Sequence, residues 1–238
     1  MKVIILGDIH GRTLWKKVIE KENYDKIIFI GDYMDSFDVP GVDQLSNFKE
    51  IIKFKKDNME KVVLLFGNHD YHYLPGIKEH YSGYQPYLSF DIGQLIEDNK
   101  HLFCACYIHN NFLISHAGIT DTWYKEVNKS FEEKYWEVYE DLDKKINIWF
   151  KFYPQFFGFA TNSLDPYGND VRQSPFWVRP QALSKNKNKF KDYIQIVGHT
   201  QQRGVNQKYK GIILIDTLCE PQPEYLIIEN DIIKIGKI

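Results

Sequence analysis

Val3-Ile4-Ile5-Leu6-Gly7-Asp8-Ile9-His10-Gly11 opens the chain with an apolar run, a glycine, and then an acid and an imidazole two residues apart. The layout recurs. Ile27-Ile28-Phe29-Ile30 leads into Gly31-Asp32-Tyr33-Met34-Asp35, and Val62-Val63-Leu64-Leu65-Phe66 into Gly67-Asn68-His69-Asp70. Phe112-Leu113-Ile114 leads into Ser115-His116-Ala117-Gly118, and Ile194-Gln195-Ile196-Val197 into Gly198-His199-Thr200. Short, apolar, largely β-branched runs bounded by glycine read as buried strands. Gly7, Gly31, Gly67 and Gly198 are expected to turn the backbone sharply at the strand ends. The polar residues then collect in loops at one edge of a sheet, where open α/β folds bind ligands. They offer enough oxygen and imidazole donors for two metal ions, with a His-Asp pair to spare. Such a centre suits the cleavage of phosphate esters.

The rest of the chain supports an α/β class. Helices are expected at about 12–22 and 43–57, between the first three strands, as in a mostly parallel sheet with right-handed crossovers. A short helix is expected at 91–99. Residues 102–108 and 111–115 read as a hairpin around Asn110. The runs 212–215, 225–228 and 232–235 read as an antiparallel meander whose last turn is Asn230-Asp231. Residues 120–192 are dense in aromatics, and 130–152 suits a long amphipathic helix, with Trp136, Tyr139, Leu142, Ile146, Trp149 and Phe150 at spacings of three and four. That face packs on the domain or caps the cleft, and the first reading is favoured for most of these side chains. Lys185-Asn186-Lys187-Asn188-Lys189 reads as a solvated loop. No internal repeat and no second domain are evident, so residues 1–238 are expected to form one domain with an insertion at about 120–192.

Five such motifs in this order resemble the calcineurin-like metallophosphoesterases, nearest the phosphoprotein-phosphatase type and its bacterial and phage relatives. The resemblance runs from Asp8 to Thr200. It implies a four-layer αββα sandwich: two mixed β-sheets packed face to face with helices outside. It also implies a dinuclear centre in which Asp8 and His10 bind the first metal, Asp32 bridges, and Asn68, His116 and His199 complete the second. A shared carboxylate suits the separation of about 3.5–4 Å used by two-metal hydrolases. Imidazole with carboxylate and amide oxygen suits manganese, the metal the resemblance implies, with iron and zinc as alternatives. The Asp8-x-His10 spacing puts both side chains on one side if the segment is extended.

By the same resemblance His69 is the general acid, oriented by Asp35. A carboxylate partner favours imidazolium and fixes its orientation. The sequence departs from the pattern twice. The second motif continues Asp35-Ser36-Phe37 where the phosphatases have Asp-Arg-Gly, so one phosphate-binding arginine is missing. The fifth continues Thr200-Gln201 where many phosphodiesterases have a further His. Arg179, in Phe176-Trp177-Val178-Arg179-Pro180, is the favoured phosphate clamp, ahead of Arg12, which reads as the opening of the first helix, and of Arg172 and Arg203. Asp70 is expected to support by hydrogen bonding rather than as a ligand. Asp216, at a strand end before Thr217, is either a partner for a ligating histidine or a turn residue. His72 is expected at the entrance, while His80, His101 and His109 read as ordinary histidines.

The implied activity is metal-dependent phosphoester hydrolysis through a metal-bridging hydroxide and a His acid, first as a phosphomonoesterase resembling protein phosphatases. The alternative is a nucleotide phosphodiesterase or pyrophosphohydrolase, such as a diadenosine-polyphosphate or cyclic-nucleotide hydrolase. A non-catalytic scaffold is a third reading, disfavoured because His69, Asp35 and all six ligands are present. The expected partner is a phosphorylated substrate, a phosphoprotein or a nucleotide. A net charge of −2 argues against stable nucleic-acid binding. With 43% hydrophobic residues in 238, the chain can bury a full core. Cys104, Cys106 and Cys219 make no disulfide framework, and the first two would share a strand face as reduced thiols. The first strand begins at once and no apolar run reaches about 18 residues, so neither a leader nor a membrane span is expected, and cytoplasm is the expected compartment.

Overall fold

Side chains alternate across each of the first strands, and this alternation builds two cores. Strands β1 (Lys2–Leu6), β2 (Lys26–Phe29) and β3 (Val62–Leu65) run parallel, with Ile4 opposite Ile27 and Ile28 opposite Val63. Val3, Ile5, Ile28, Ile30 and Leu65 face one way, and Ile4, Leu6, Ile27, Phe29, Val62 and Leu64 the other. Both faces are buried, which is why these strands read as unbroken apolar runs. The computed structural model describes residues 1–131, 141–160, 165–185, 190 and 192–238.

The first sheet has six strands in the order β10-β9-β1-β2-β3-β4, where β4 is Phe103–Cys104, β9 is Glu224–Glu229 and β10 is Ile232–Lys237. The second has four, β5-β6-β7-β8, formed by Cys106–His109, Phe112–Ser115, Ile194–Val197 and Ile212–Leu214. Each sheet mixes parallel and antiparallel pairs. Phe112, Ile114, Ile196 and Ile213 of the second sheet join Val3, Ile5, Ile28 and Leu226 of the first in one apolar layer between the sheets. On the outer side of the first sheet lie α1 (Leu14–Lys21), α2 (Gly41–Asp57) and α4 (Ser89–Asn99), which bury Trp15, Val18, Phe48, Ile51, Ile92 and Ile96. A single helical turn, α3 (Asn68–Tyr71), follows β3. Helices α5 (Asp121–Lys129), α6 (Leu142–Phe152) and α7 (Pro180–Leu183) come from the aromatic-rich stretch. Ala182 and Leu183 of α7 pack on Val197, Ile212 and Leu214 of the second sheet. This is the two-sheet, helix-flanked sandwich that the motifs implied.

Three expectations change. The run 102–108 is not one strand: β4 closes the edge of the first sheet and β5 opens the second. At the crossing, Asn147 Oδ1 of α6 accepts the N–H groups of Ala105 (2.8 Å) and Cys106 (3.1 Å), and its Nδ2 donates to Cys106 O at 2.9 Å. Cys104 and Cys106 therefore enter different cores rather than sharing a face. The C-terminal meander also splits. Strands β9 and β10 form a hairpin with left-handed Asn230 and Asp231 at its turn, while β8 runs parallel to β7 in the other sheet.

Most of the described aromatics of residues 120–192 serve packing. Trp123, Tyr124, Phe131, Trp149, Phe150, Phe157 and Phe176 are buried in one cluster. The expected helix over 130–152 is seen from Leu142, and Tyr135, Trp136 and Tyr139 lie outside the described residues. Of the lysine–asparagine tract only Lys185 is described.

Replacing Asn147 with alanine strands two buried N–H groups and a carbonyl. Each orphaned group costs about 1–3 kcal/mol when water cannot reach it. Asn147→Ala is expected to lose about 3 kcal/mol or more, read as a lower urea midpoint at unchanged slope.

Candidate metal and active centre

Four of the site positions have left-handed backbone: His10 (φ 41°), Asp32 (52°), Asp35 (67°) and His199 (59°). Non-glycine residues seldom accept this region, though His and Asp accept it better than most. Of the four motif glycines expected to turn the chain, only Gly31 (φ 106°) is left-handed. The others are needed for space. A Cβ on Gly67 would lie 2.2 Å from Asp32 Oδ1, one on Gly198 2.0 Å from Asp8 Oδ1, and one on Gly7 2.4 Å from Ile215 O.

Asp8, His10, Asp32, Asn68, His69, Arg179 and His199 line one cleft of about 440 Å³, together with Tyr81, Ser82, Trp177, Gln201 and Asp216. His116 lies beneath, fully buried, and Asp35 lies behind His69. His10 sits in a turn rather than an extended segment. Its Nδ1 donates to Met34 O at 2.7 Å, which turns Nε2 toward Asp32 Oδ2, 3.8 Å away. His116 is held alike: Nδ1 donates to Ile30 O at 2.9 Å, leaving the Nε2 lone pair 2.9 Å from Asn68 Oδ1 and 3.4 Å from Asp32 Oδ2. His199 Nδ1 is also 2.9 Å from Asn68 Oδ1.

An imidazole lone pair facing an amide oxygen and a carboxylate is acceptor against acceptor, and a cation among them resolves it. The titration directions agree. Burial pushes His10, His116 and His199 below the usual imidazole value, toward the neutral form that binds metals. Burial, then the charges of Asp216 and Asp32, push Asp8 well up. Burial and Asp32 lift Asp216 to about 7. Burial also opposes the charge on Asp32, but His116, His69 and His10 outweigh it and hold that carboxyl low. At Asp8 and Asp216 the nearby positive charge does not offset burial and the neighbouring carboxyls, and the residues present fit divalent cations. Oxygens or ring nitrogens of Asp8, Asp32 and His116 lie within 4.8 Å of one another.

His69 Nδ1 stands 3.0 Å from Asp35 Oδ2. Burial pushes the imidazolium down, but the charge of Asp32 and the hydrogen bond and charge of Asp35 lift His69 to about 9. Burial likewise opposes ionisation of Asp35, and hydrogen bonds from His69 and His72 bring it to about 2. Asp70 supports, as expected: its carboxylate accepts the N–H groups of Asp32 (2.8 Å), Tyr33 (2.9 Å) and Gly67 (2.9 Å).

Arg179 is anchored at the rim, with Nη1 donating to His199 O (2.8 Å) and Thr200 Oγ1 (3.1 Å) and Nε to Tyr167 O (2.9 Å). Arg12 precedes α1 and braces His10 O and Asp38. Arg172 pairs with Asp170 away from the cleft. Gln201 gives its amide to Glu220 at 2.8 Å. Asp216 faces Asp8 rather than a histidine. His72 is not at the entrance: it is buried, with Nε2 2.6 Å from Asp35 Oδ2. Its spacing of three from His69 on a helical turn was the available signal. Tyr81 and Ser82 carry no motif and were not expected at the cleft.

A family model described as Calcineurin-like phosphoesterase matches residues 1–227. A serine/threonine phosphatase from Saccharomyces cerevisiae with similarity to human phosphatase PP5 is structurally alike over 100% of this chain and 79% of its own, with a TM-score of 0.60 and 12% identity. The cold-active protein-tyrosine phosphatase of a psychrophilic Shewanella species covers 99% and 77% at 0.56 and 20%. A structure described as a "putative diadenosine tetraphosphatase" covers 99% and 93% at 0.51 and 16%. At these identities the likeness is one of fold. No curated protein matches the chain.

Gly67→Ala would force its Cβ against Asp32 Oδ1. The fold is expected to lose about 1–3 kcal/mol from overpacking. The shift in melting temperature that manganese produces over chelator-treated protein should shrink more than this loss explains, because the displaced carboxylate belongs to the candidate cation site.

Proposed function

The chain belongs to the calcineurin-like phosphoesterase family and is a metal-dependent phosphoester hydrolase, and we propose that it works as a phosphomonoesterase of the protein-phosphatase type. The observation that carries this reading is His69, paired with Asp35 at 3.0 Å, beside the facing acceptors of His116 and Asn68. The family binds two divalent metals, and the donor set suits them. In this reading Asp8 and His10 hold the first, Asp32 is shared, and Asn68, His116 and His199 hold the second. Manganese is the proposed metal, since imidazole with carboxylate and amide oxygens suits it. When bound, the cations lower the pKa of a water and polarise the phosphoryl oxygens.

The protein's own groups do the rest. Arg179 is a fixed cation at the rim that neutralises charge on the phosphoryl group. His69 gives its proton to the leaving oxygen, and Asp35 keeps the ring aimed and protonated. With Asp32 engaged by cations, Asp35 would be the main remaining support for the imidazolium, ahead of Asp70. No side chain of the cleft is required as a nucleophile. The monoester preference draws on Gln201, which stands where diesterases carry a histidine and is occupied by Glu220. The descriptions of the serine/threonine and tyrosine phosphatase neighbours favour the same choice. A nucleotide phosphoanhydride or diester is the second reading. It is favoured by the diadenosine tetraphosphatase neighbour and by Tyr81 and Trp177 on the cleft wall, where a base could stack. No helix among the described residues is long and apolar enough to cross a membrane.

Manganese-loaded and metal-stripped protein should be compared on p-nitrophenyl phosphate and its bis ester. Metal-dependent preference for the monoester is expected, whereas preference for the diester transfers the assignment to the second reading. His69→Asn should lose about 10²–10⁴-fold in turnover of alkyl phosphates while still binding manganese in calorimetry.

The acid works only while protonated, so turnover falls as pH rises through the His69 pKa. Asp35→Asn removes a charge that raises that pKa. Its alkaline limb should therefore move to lower pH in a kcat profile, and an unmoved limb would separate Asp35 from the acid.

A further inference from the structure

We infer that His72 and Tyr73 are positioning residues. They hold the Asp35 carboxylate, and through it His69, and they tie this pair to the loop 79–85 that walls the cleft. The inference rests on the reading of His69 as the acid.

Asp35 is left-handed and its side chain is fully buried, so water cannot complete its hydrogen bonding. His69 Nδ1 accounts for one contact of Oδ2. His72 Nε2 lies 2.6 Å from the same oxygen, a close contact that is out of line for a formed hydrogen bond, so a small turn of the ring would complete it. The Tyr73 hydroxyl donates to Oδ1 at 2.6 Å. These contacts use donors on both sides of the carboxylate, so its rotation about Cβ–Cγ is blocked.

The far ends of both supports grip the loop. His72 Nδ1 accepts the Tyr81 N–H at 3.1 Å, which leaves the ring's proton on Nε2, the nitrogen beside Asp35. The Tyr73 oxygen accepts the Gln85 N–H at 2.9 Å while donating to Asp35. Each residue is thus one link between a loop amide and one carboxylate oxygen. The loop also presses on Asp35 directly: a Cβ on Gly83 would lie 2.9 Å from Asp35 Cβ. The His72 ring is fixed by stacking on Tyr81 (5.5 Å) and by edge contacts with Tyr73 (4.4 Å) and Tyr84 (5.0 Å). Between the anchor points, Tyr81 and Ser82 line the cleft. A leaving group resting on this wall therefore meets an acid whose orientation the same wall sets.

A proton donor matters in proportion to the basicity of the leaving oxygen. Manganese-loaded variants should be compared on p-nitrophenyl, phenyl and alkyl phosphates. His72→Phe keeps a ring and loses the donor, and Tyr73→Phe loses only the hydroxyl. Each is expected to keep kcat on p-nitrophenyl phosphate within about twofold and to lose about tenfold or more on the alkyl ester, at unchanged KM. His69→Asn should show the same selectivity, larger. His72→Gln, whose amide can still donate to Asp35, should recover part of the loss.

Equal loss on good and poor leaving groups, or none on either, overturns the positioning role if His69→Asn keeps its selectivity. If His69→Asn shows no selectivity, the acid reading fails and the positioning role falls with it. Tyr73→Phe, the smaller change, decides the matter should His72→Phe not fold.

Discussion

Asp32 is a buried carboxylate on a left-handed backbone, with its amide held by Asp70, one oxygen accepting the His69 N–H, and the other facing His116 and His10. The second and third motifs meet on it and cannot move independently. Asp70 arrives from the third motif to bind the amides of Asp32 and Tyr33, and it closes on its own strand end through Gly67 N. Asp32 can come this close only because Gly67 has no side chain. A buried charge without partners would be strongly destabilising. Here burial and the charge of Asp32 push the Asp70 carboxyl well up, against the three backbone N–H groups that donate to it, while Asp32 is held low and faces lone pairs. The first carboxyl is structural, and the charge of the second is available for cations.

The backbone strain follows the same division. Each left-handed non-glycine residue costs of order 1–3 kcal/mol and persists only where its surroundings over-determine it. At Asp32 that is Asp70, at His10 the bond to Met34 O, at Asp35 the Tyr73 and histidine contacts, and at His199 the bond from its N–H to Asp8 (3.0 Å). In each case a motif side chain or backbone group held by another motif or its following loop offsets the strain. The site is a set of mutual supports between strand ends rather than residues placed separately on a platform.

What could be read from the sequence divides along the same physical line. Strands buried on both faces announce themselves as apolar runs, and the glycines and acids that end them marked the cleft. The strand break at Ala105 left no local trace, because it is imposed by Asn147, 42 residues further along the chain. The sheet membership of β8 was equally hidden. Period and composition say that 212–215 is buried, and only its pairing with β7 says beside what. Turning was credited to glycines whose role at Gly7, Gly67 and Gly198 is clearance, since a motif shows that a residue is small but not which neighbour requires it. Tyr81 and Ser82 belong to the cleft through a loop without motif, and nothing local distinguishes them from Tyr84, which stacks on His80 instead.

The two walls of the cleft come from segments outside the metal-facing motifs, yet each is bolted to a residue inside them. Arg179 grips the carbonyl of His199, whose ring stands 5.7 Å from Trp177 on the same wall. On the other side, Tyr81 reaches Asp35 through His72. Loops usually gain binding variety by being loosely coupled to the scaffold. A phosphoester hydrolase has a reason to do otherwise, because a near-attack geometry is lost by displacements of about 1 Å. Tying each wall to a neighbouring motif residue makes the position of the bound group and the position of the groups that act on it one variable. On the proposed reading, altering either wall is expected to change turnover as well as affinity, and the segments that wall the cleft are less free to vary than their lack of motifs suggests.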